Sequence, residues 1–448
     1  MKTIFAKRAL GPEGWLDNVR ISIEGGMFTA FEAAEKADAA DETHDVVLPG
    51  MGNLHSHAFQ RAMAGLAETR GPGDDSFWSW RNVMYRFALS MTPEQVEAVA
   101  AKLYVEMLEA GFTRVGEFHY LHHDKTGAHY ADIGEMASRI AAAASQTGIG
   151  MTLLPVFYAH SGFGGQAPAE GQRRFINDLD SFGRLLEACR RVTGDLSGSV
   201  VGVAPHSLRA VTPEELKAVA QLAGDAPIHI HIAEQTKEVE DCIAWSGARP
   251  VEWLFDNADV QKSWCLIHAT HMTADETRRF GRSGAVAGLC PVTEANLGDG
   301  TFPALGFMDA GGSWGVGSDS NVLIGLTEEL RQLEYSERLA HRARNVIARP
   351  NGSTGRRLFD AAVTGGARAL AAPGGLAVGN PADFVSLEPR DVDFGDDRLL
   401  DRWIFANGAD IDCVWVRGIK HVAKGRHSES PRVTQRFQRV MRELVEGL

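Results

Sequence analysis

The sequence predicts an α/β protein, a (β/α)8 TIM-like barrel with a small β-sandwich domain formed from both ends of the chain. Short apolar segments alternate with helix-length amphipathic intervals through the middle of the sequence, which is typical of a parallel sheet wrapped by helices. Near both ends, apolar and polar side chains alternate, as in half-buried strands. The 448 residues can hold a barrel of roughly 250 residues or more together with an accessory domain.

The two ends of the chain carry the same strand pattern. Residues 1–48 include TIFAKRAL, a Gly-Pro turn and NVRISIEGGMFTAFE, and the pattern resumes after Gly374 in GGLAVGNPADFVSLE and ADIDCVWVRGIKHVAKGRHS. We therefore expect residues 1–48 and 374–448 to build one β domain, which also carries an amphipathic terminal helix. The barrel is then expected at residues 49–373.

Eight apolar runs in the middle of the chain predict the eight strands of the barrel. They are VVLPGMGNLHSH, TRVGEFHY, GMTLLPVFYAH, SVVGVAPHS, PIHIHIAE, WCLIHATH, GAVAGLCP and SWGVGSDS. Polar residues collect at the carboxyl ends of these runs. Barrel enzymes carry their active sites at that face, so the site is expected there.

Composition narrows the class of protein. A hydrophobic content of 44% and a charged content of 23% are ordinary for a globular chain, and no apolar run approaches the roughly 18 residues of a membrane span. The formal charge of −13 argues against non-specific nucleic-acid binding, since phosphate neutralisation needs a basic face. Five widely spaced cysteines form no C-x-x-C pair, which favours buried thiols in a reducing cytoplasm.

Four strand ends carry residues suited to a metal site. His55 and His57 are separated by one residue, and alternate residues of a strand face the same side, so both imidazoles can reach one ion. The fifth run contains His231 and, three residues later at its end, Glu234; the neighbouring His229 can equally be a core histidine. His268 and Asp319 end later runs. Each signal alone is weak, but the ordered combination indicates metal-assisted hydrolysis, in which bound water is activated and a leaving nitrogen is protonated.

In these motifs the chain resembles the amidohydrolase superfamily and, within it, the formimidoylglutamate deiminases. The resemblance runs through PGMGNLHSHAFQR, WRNVMYR, GEFHYLHHD, APHSLRAV, HIHIAEQ, LIHATH, CPVTEANLGDG and GVGSDSN. It implies zinc held by His55, His57, His231 and Asp319. It also implies catalytic roles for Glu234, His268 and Asp319.

The resemblance implies one Zn²⁺ per chain. Two-metal members carry a bridging modified lysine at the fourth strand end, whereas VVGVAPHSLR offers no lysine. Three histidines and one carboxylate leave a position for water, as in catalytic zinc sites. Another divalent metal remains an alternative, because such a donor set binds several ions.

The resemblance also suggests the residues that contact substrate, and these are Gln60, Arg81, Tyr120, His206 and Arg209. Two arginines suit a substrate with two carboxylates, although either could instead be an ordinary surface or ion-pair residue. Trp78 and Trp80 are expected to pack a loop over the barrel mouth. His122 and His123 are interpreted as solvated loop histidines.

The reaction implied is the hydrolytic deimination of N-formimino-L-glutamate, a step of histidine degradation. Zinc lowers the pKa of its water towards about 7, Asp319 takes the proton, and hydroxide attacks the formimino carbon. His268 positions the hydroxide and stabilises the intermediate, while Glu234 passes a proton to the departing nitrogen. Ammonia and N-formyl-L-glutamate leave.

Two rival functions stay open at this point. A deaminase of guanine or a related heterocycle would use the same zinc set, but would need stacking and amide groups in place of two arginines. A non-catalytic relative would be expected to have lost metal ligands, and here all the metal and proton-transfer positions are present. The expected partner is a small anionic substrate, with neither nucleic acid nor membrane, and the resemblance implies a homodimer.

Overall fold

The computed structural model describes residues 2–70, 73, 76–391 and 395–446. Its strands are β1 (Lys2–Gly11), β2 (Gly14–Glu24), β3 (Met27–Ala33), β4 (Glu42–Pro49), β5 (Met51–Ser56), β6 (Phe112–His119), β7 (Gly150–Phe157), β8 (Val200–Val201), β9 (Ala204–Pro205), β10 (Ile228–Ile232), β11 (Trp264–His268), β12 (Val286–Leu289), β13 (Ser313–Val316), β14 (Phe384–Pro389), β15 (Ala409–Val416), β16 (Ile419–Ala423) and β17 (Arg426–His427).

The helices lie mainly between the central strands. The α-helices are α1 (Phe77–Ser90), α2 (Pro93–Glu109), α3 (Glu135–Thr147), α4 (Leu179–Thr193), α5 (Pro213–Ala223), α6 (Thr236–Ser246), α7 (Pro250–Asn257), α8 (Ala274–Ser283), α9 (Pro291–Leu297), α10 (Ala304–Asp309), α11 (Leu326–His341), α12 (Thr354–Ala369), α13 (Arg398–Ala406) and α14 (Ser430–Glu446). Short 3-10 helices cover Ala58–Met63 and Glu170–Gln172.

Strands from both ends of the chain form one sheet, as predicted. Its order is β17-β16-β15-β14-β4-β1-β2-β3, with β4 parallel to β1 and antiparallel to β14. The sheet curls over itself and brings β3 close to β14. The Phe28 N–H on β3 donates to Asn380 O (3.0 Å), and the Phe28 ring lies 5.7 Å from that of Phe384 on β14. Phe384 in turn stacks on Trp415 at 4.3 Å. The curled sheet thus encloses its own apolar core, while the domain boundaries at residues 48 and 374 stay a prediction.

The central strands form the barrel. One parallel sheet has the order β5-β6-β7-β8, with β9 also pairing with β7, and the other has the order β10-β11-β12-β13. Parallel bridges join the two sheets on both sides, at Val203 with Ile228, at Ser207 with His231, and at Ser56 with Asp319. Counting β8 and β9 as one position, eight strand positions close the barrel and confirm the predicted fold class.

Two predicted runs are divided by glycines. VVLPGMGNLHSH contributes β4 to the small sheet and β5 to the barrel, and Gly50 lies between them. A Cβ at Gly50 would stand 2.4 Å from Thr113 Cγ2. SVVGVAPHS forms β8 and β9 on either side of Gly202, where a Cβ would stand 2.4 Å from the carbonyl oxygen of Pro227. In both places the strand is interrupted where another segment packs too closely for a side chain.

The helix boundaries follow from capping residues in the sequence. A threonine before the helix accepts the N3 amide, and the N3 side chain accepts the threonine N–H, in three barrel helices. These capping pairs are Thr92 with Gln95, Thr212 with Glu215, and Thr273 with Glu276. Four of the described helices end at a glycine in the left-handed region, at Gly148, Gly247, Gly284 and Gly298.

Buried polar side chains connect β5 to the segment after β13. The Asn53 amide donates to Ser318 Oγ (2.7 Å) and accepts the Ser318 N–H (3.1 Å). Ser318 Oγ donates to Asn321 Oδ1 (2.6 Å), and the Asn321 amide donates to Ser56 Oγ (3.2 Å) and His57 O (3.0 Å). This seam network, defined as Asn53, Ser56, Ser318 and Asn321, closes the barrel.

Two sequence predictions about burial can be compared with the structure. All five cysteines are buried as free thiols, which confirms their interpretation. Within the described ranges, no helix combines the length and the apolar composition needed to cross a bilayer.

We expect Asn53→Ala to lower the free energy of unfolding by about 2–4 kcal/mol, because Ser318 loses two buried hydrogen bonds and its N–H stays unpaired. Urea denaturation of metal-saturated protein measures the change. Asn296→Ala is the matched control, since its exposed amide donates one hydrogen bond among the described residues, to Glu68 Oε1 (2.9 Å). Equal unfolding midpoints for the two variants would show that the seam network does not stabilise the fold.

Candidate active site

Four of the predicted residues converge at the carboxyl end of the barrel. One ligand atom from each of His55, His57, His231 and Asp319 lies within 4.8 Å of the others, and all four residues are buried. Nε2 of His55 lies 3.0 Å from Nε2 of His231 and 3.4 Å from Asp319 Oδ1. Nε2 of His57 lies 3.2 Å from the same oxygen.

These distances fit a bound cation. Donor atoms on a tetrahedral ion with bonds of about 2.0–2.1 Å stand roughly 3.3 Å apart. Nδ1 of His57 faces Phe118 O at 3.0 Å, and Nδ1 of His231 faces His206 O at 2.9 Å. A carbonyl accepts only a protonated nitrogen, so both rings carry the proton on Nδ1 and direct the Nε2 lone pair inward. Converging lone pairs beside a carboxylate repel one another unless a cation lies between them.

The pKa shifts agree with this donor set. Burial lowers the pKa of His55 to about 3 and the pKa of His231 well below its ordinary value. For Asp319, burial acts to raise the pKa, but the contacts with His55 and His57 hold it well below the ordinary value. Neutral imidazoles and an ionised carboxylate are the forms that bind a metal.

The backbone holds Asp319 against the histidines of β5. The His57 N–H donates to Asp319 O (3.0 Å), and the Asp319 N–H donates to His55 O (2.9 Å). Asp319 itself has φ 44°, and Ala233 and His268 lie in the same left-handed region with φ 49° and 67°. Left-handed residues other than glycine are uncommon, and here they mark the ends of three barrel strands that face the site.

Glu234 and His268 stand beside the four donors. His268 Nε2 lies 3.9 Å from Glu234 Oε1 and 3.9 Å from Asp319 Oδ2. Burial raises the pKa of Glu234. Burial would lower the pKa of His268, but Glu234, Glu294 and Asp319 together raise it to about 10. The arrangement can therefore hold and move protons next to a bound metal.

A cavity opens from this cluster, and its wall includes every residue predicted to contact substrate. Those residues are Gln60, Arg81, Tyr120, His206 and Arg209. The Gln60 amide donates to the hydroxyl of Tyr120 (2.8 Å), and Gln60 Oε1 is buried without a hydrogen-bond partner in the described part of the chain. The ring of His206 lies 4.8 Å from that of His231.

The two arginines bring unpaired positive charge to the cavity. Nε of Arg81 and Nε of Arg209 are buried, and neither has a hydrogen-bond partner among the described residues. Arg81 lies over the ring of Trp78 at 4.6 Å. Burial opposes the charge of Arg209, but Glu238 and Glu234 raise its pKa above the ordinary value. A buried N–H without a hydrogen-bond partner is costly, so these two half-buried arginines are suited to bind an anion.

Much of the apolar wall of the cavity was not predicted from the sequence. Residues of that wall without an earlier role are Phe77, Met84, Tyr85, Tyr158, Phe175 and Leu297. Trp78 and Trp80 lie on helix α1, not in the loop expected at the barrel mouth. The wall residues of α1 recur at helical spacing in FWSWRNVMYR, so periodicity could have found them. Phe175 lies between elements and has no such signal.

Three histidines have structural surroundings. The prediction that His122 and His123 are solvated is wrong, since both are buried. Nε2 of His122 contacts Val156 O (2.9 Å) and Nε2 of His123 contacts Ile176 O (2.7 Å), because the loop after β6 folds under neighbouring segments. His229 faces Ala369 O at 2.8 Å and lies outside the metal cluster, which agrees with a core histidine.

Comparison with known proteins identifies relatives over the whole chain. Residues 46–420 match the model of the amidohydrolase family, and residues 1–45 match the model of the N-terminal domain of formimidoylglutamate deiminase HutF. The formimidoylglutamate deiminase of Pseudomonas aeruginosa is 51% identical over 454 residues, and the alignment covers 100% of both chains.

Solved structures show the same architecture. A crystal structure of an amidohydrolase from Brucella melitensis is 62% identical, with a TM-score of 0.98, and the match covers 99% of this chain and 100% of that one. An adenosine deaminase from Xanthomonas campestris with bound zinc has a TM-score of 0.81 and covers 99% and 98% of the two chains. At 20% identity, the second structure supports the fold alone.

We expect His231→Ala to remove most of the bound divalent metal, whereas His229→Ala, two residues earlier on β10, retains about one equivalent per chain. Both substitutions delete a buried imidazole from one strand, so the loss of core packing is matched. Metal content by plasma mass spectrometry after gel filtration measures the difference. Equal metal content in the two variants would place the metal elsewhere.

Proposed function

Since this chain belongs to the amidohydrolase family, we propose that it hydrolyses N-formimino-L-glutamate to N-formyl-L-glutamate and ammonia. Its 51% identity to a formimidoylglutamate deiminase supports this reaction. The observation that carries the proposal is a pair of guanidinium groups, on Arg81 and Arg209, in one cavity with Glu234 and His268. Their buried Nε atoms have no hydrogen-bond partner in the described part of the chain. A glutamyl substrate has two carboxylates, one for each arginine.

We propose a single Zn²⁺ as the metal, held by His55, His57, His231 and Asp319. The compact donor cluster and its protonation states support one ion. When bound, such an ion lowers the pKa of a coordinated water towards about 7 and polarises the substrate. The homodimer and the cytoplasmic location implied by the resemblance stay proposals as well, and sedimentation and cell fractionation would test them.

In the proposed mechanism, the side chains orient the substrate and move protons. Asp319 directs Oδ1 to His55 and His57 and Oδ2 towards His268, so Oδ2 can accept a proton from the attacking water. His268 Nε2 donates a hydrogen bond to the oxygen that adds to the formimino carbon, and so stabilises the intermediate. The proton taken up by Asp319 and the second proton of the water, lost as its oxygen becomes the formyl oxygen, both pass through Glu234 to the departing nitrogen. Burial raises the pKa of Glu234, which favours its protonated form between these steps. The carbon–nitrogen bond then breaks and ammonia leaves.

The wall of the cavity supports a linear dicarboxylate. Arg81 reaches it from α1 and Arg209 from the segment after β9, so two different elements supply the two positive charges. Phe77, Met84 and Phe175 supply apolar surface for the methylene groups. Neutral hydrogen-bond donors and aromatic rings would be sufficient to bind a heterocycle. A heterocyclic substrate would leave Arg81 and Arg209 in the cavity without an anion to pair with.

Ammonia release by zinc-loaded protein tests the proposed function directly. We expect rapid release from N-formimino-L-glutamate and little from guanine or N-formimino-glycine, because only the first has two carboxylates to pair with the two arginines. Release from guanine alone would favour a heterocycle deaminase, and silence on all three compounds would contradict the proposed reaction.

Arg209→Met extends this test to substrate recognition. Loss of a charge-assisted contact should lower kcat/KM for N-formimino-L-glutamate by about 10²-fold, mainly through KM. Arg190→Gln is the control, because Arg190 is exposed on α4 and donates one hydrogen bond within the described ranges, to Leu222 O (3.3 Å). Unchanged kinetics in Arg209→Met would remove Arg209 from substrate binding.

Glu234→Gln separates proton transfer from metal binding. We expect kcat to fall by about 10²–10⁴-fold while metal content stays at the wild-type value, because the amide cannot carry a proton to the leaving nitrogen. Steady-state kinetics and metal analysis of one preparation give both quantities. Retained turnover would exclude Glu234 as the proton donor.

A further inference from the structure

Glu294 is a buried carboxylate that contacts His268 and has no role in the mechanism above. We propose that Glu294 is a positioning residue, which holds the His268 imidazole so that Nε2 faces the reacting centre. This inference rests on the proposed function and adds a residue to its machinery. It is carried by the geometry of the ring, of the carboxylate and of the helix that presents it.

The His268 ring is held by a hydrogen bond at Nδ1, and its Nε2 faces the reacting centre. Nδ1 lies 3.2 Å from Glu294 Oε1, while Nε2 points between Glu234 Oε1 and Asp319 Oδ2, each 3.9 Å away. The ring also lies parallel to that of His231, with centroids 5.6 Å apart and planes 13° apart. His268 is 1% exposed, so water does not replace these contacts. A rotation about the side-chain bonds of His268 would break the contact with Glu294.

The carboxylate of Glu294 is itself fixed by the start of α9. Oε1 accepts the Cys290 N–H (2.9 Å), and the Glu294 N–H donates to Cys290 O (2.8 Å). Glu294 is 5% exposed. One oxygen therefore connects the end of β12 to the imidazole at the end of β11, and the side chain has little freedom to move.

The contact determines which nitrogen of His268 faces the site. A carboxylate accepts hydrogen bonds and donates none, so the nitrogen beside Glu294 must carry a proton. Nε2 is thereby kept facing the carboxylates of Glu234 and Asp319. The backbone of His268 lies in the left-handed region, with φ 67°. Without the contact to Glu294, only stacking on the His231 ring would orient its side chain. Positioning of this kind matters because catalytic groups tolerate errors of only about 0.5 Å.

A purely structural role for Glu294 makes a different prediction. If Glu294 only capped the backbone at Cys290, glutamine would preserve the cap, because its amide oxygen accepts the same N–H. If the carboxylate positions His268, loss of its charge should weaken the contact with Nδ1 and reduce turnover although the helix stays intact. The two roles therefore separate in Glu294→Gln.

The experiment compares Glu294→Gln and Glu294→Ala with wild type, using N-formimino-L-glutamate and zinc-loaded protein. We expect kcat to fall by about 10–100-fold in Glu294→Gln and further in Glu294→Ala, with KM within about twofold and metal content unchanged. Glu329→Gln is the matched control, because Glu329 is a buried carboxylate that accepts the Val292 N–H of the same helix (2.9 Å). Its kcat should equal that of wild type.

Nitrogen-15 NMR of the imidazoles gives a readout that does not need turnover. The Nδ1–H signal of His268 should be present in wild type and lost in Glu294→Ala. Wild-type kcat in Glu294→Gln, or the absence of that signal from wild type, would overturn the inference. A wild-type protein that releases no ammonia but shows the signal would contradict the proposed function and leave the positioning contact supported.

Discussion

The closure of the barrel between β5 and the end of β13 is the constraint on which the site depends. His55 and His57 reach the metal cluster from one side of this seam and Asp319 from the other, and the backbones of the two segments hydrogen-bond across it. Asn53 and Ser318 connect the same two segments through side chains below the cluster. Ligands separated widely in the sequence are therefore fixed by the contacts that complete the fold, so site geometry and fold stability share one cause.

Above the seam, the cavity separates chemistry from recognition. The strand ends supply the metal donors together with Glu234 and His268, which are rigidly packed and depend on backbone conformations that few residues adopt. Arg81 comes from α1, which lies outside the barrel strands, and Arg209 from the segment after β9. The recognition groups can thus differ in position without disturbing the proton-transfer groups, in keeping with a fold that supports many chemistries through its loops.

What the sequence could predict was set by how local each signal is. The eight runs, the shared sheet of the two ends and the placement of His55, His57 and Asp319 at one barrel face follow from strand periodicity, which a single segment reveals. The contact between Glu294 and His268 joins helix α9 to the end of β11, so no pattern within one segment predicts it. Burial of the histidines after β6 was missed for the same reason, because it depends on segments that fold over the loop from elsewhere.

The pairing of β4 in the small sheet also orders events during synthesis. β4 leaves the ribosome with β1 to β3, but its other edge pairs with β14, which follows the entire barrel. Until then, the early strands have an open edge, and the apolar core that includes Phe28 lacks Phe384 and Trp415. Open edges attract other strands, so the nascent chain carries an aggregation-prone intermediate for as long as the barrel takes to emerge. The last strands therefore cover the open edge of the first ones only after the barrel has been synthesised.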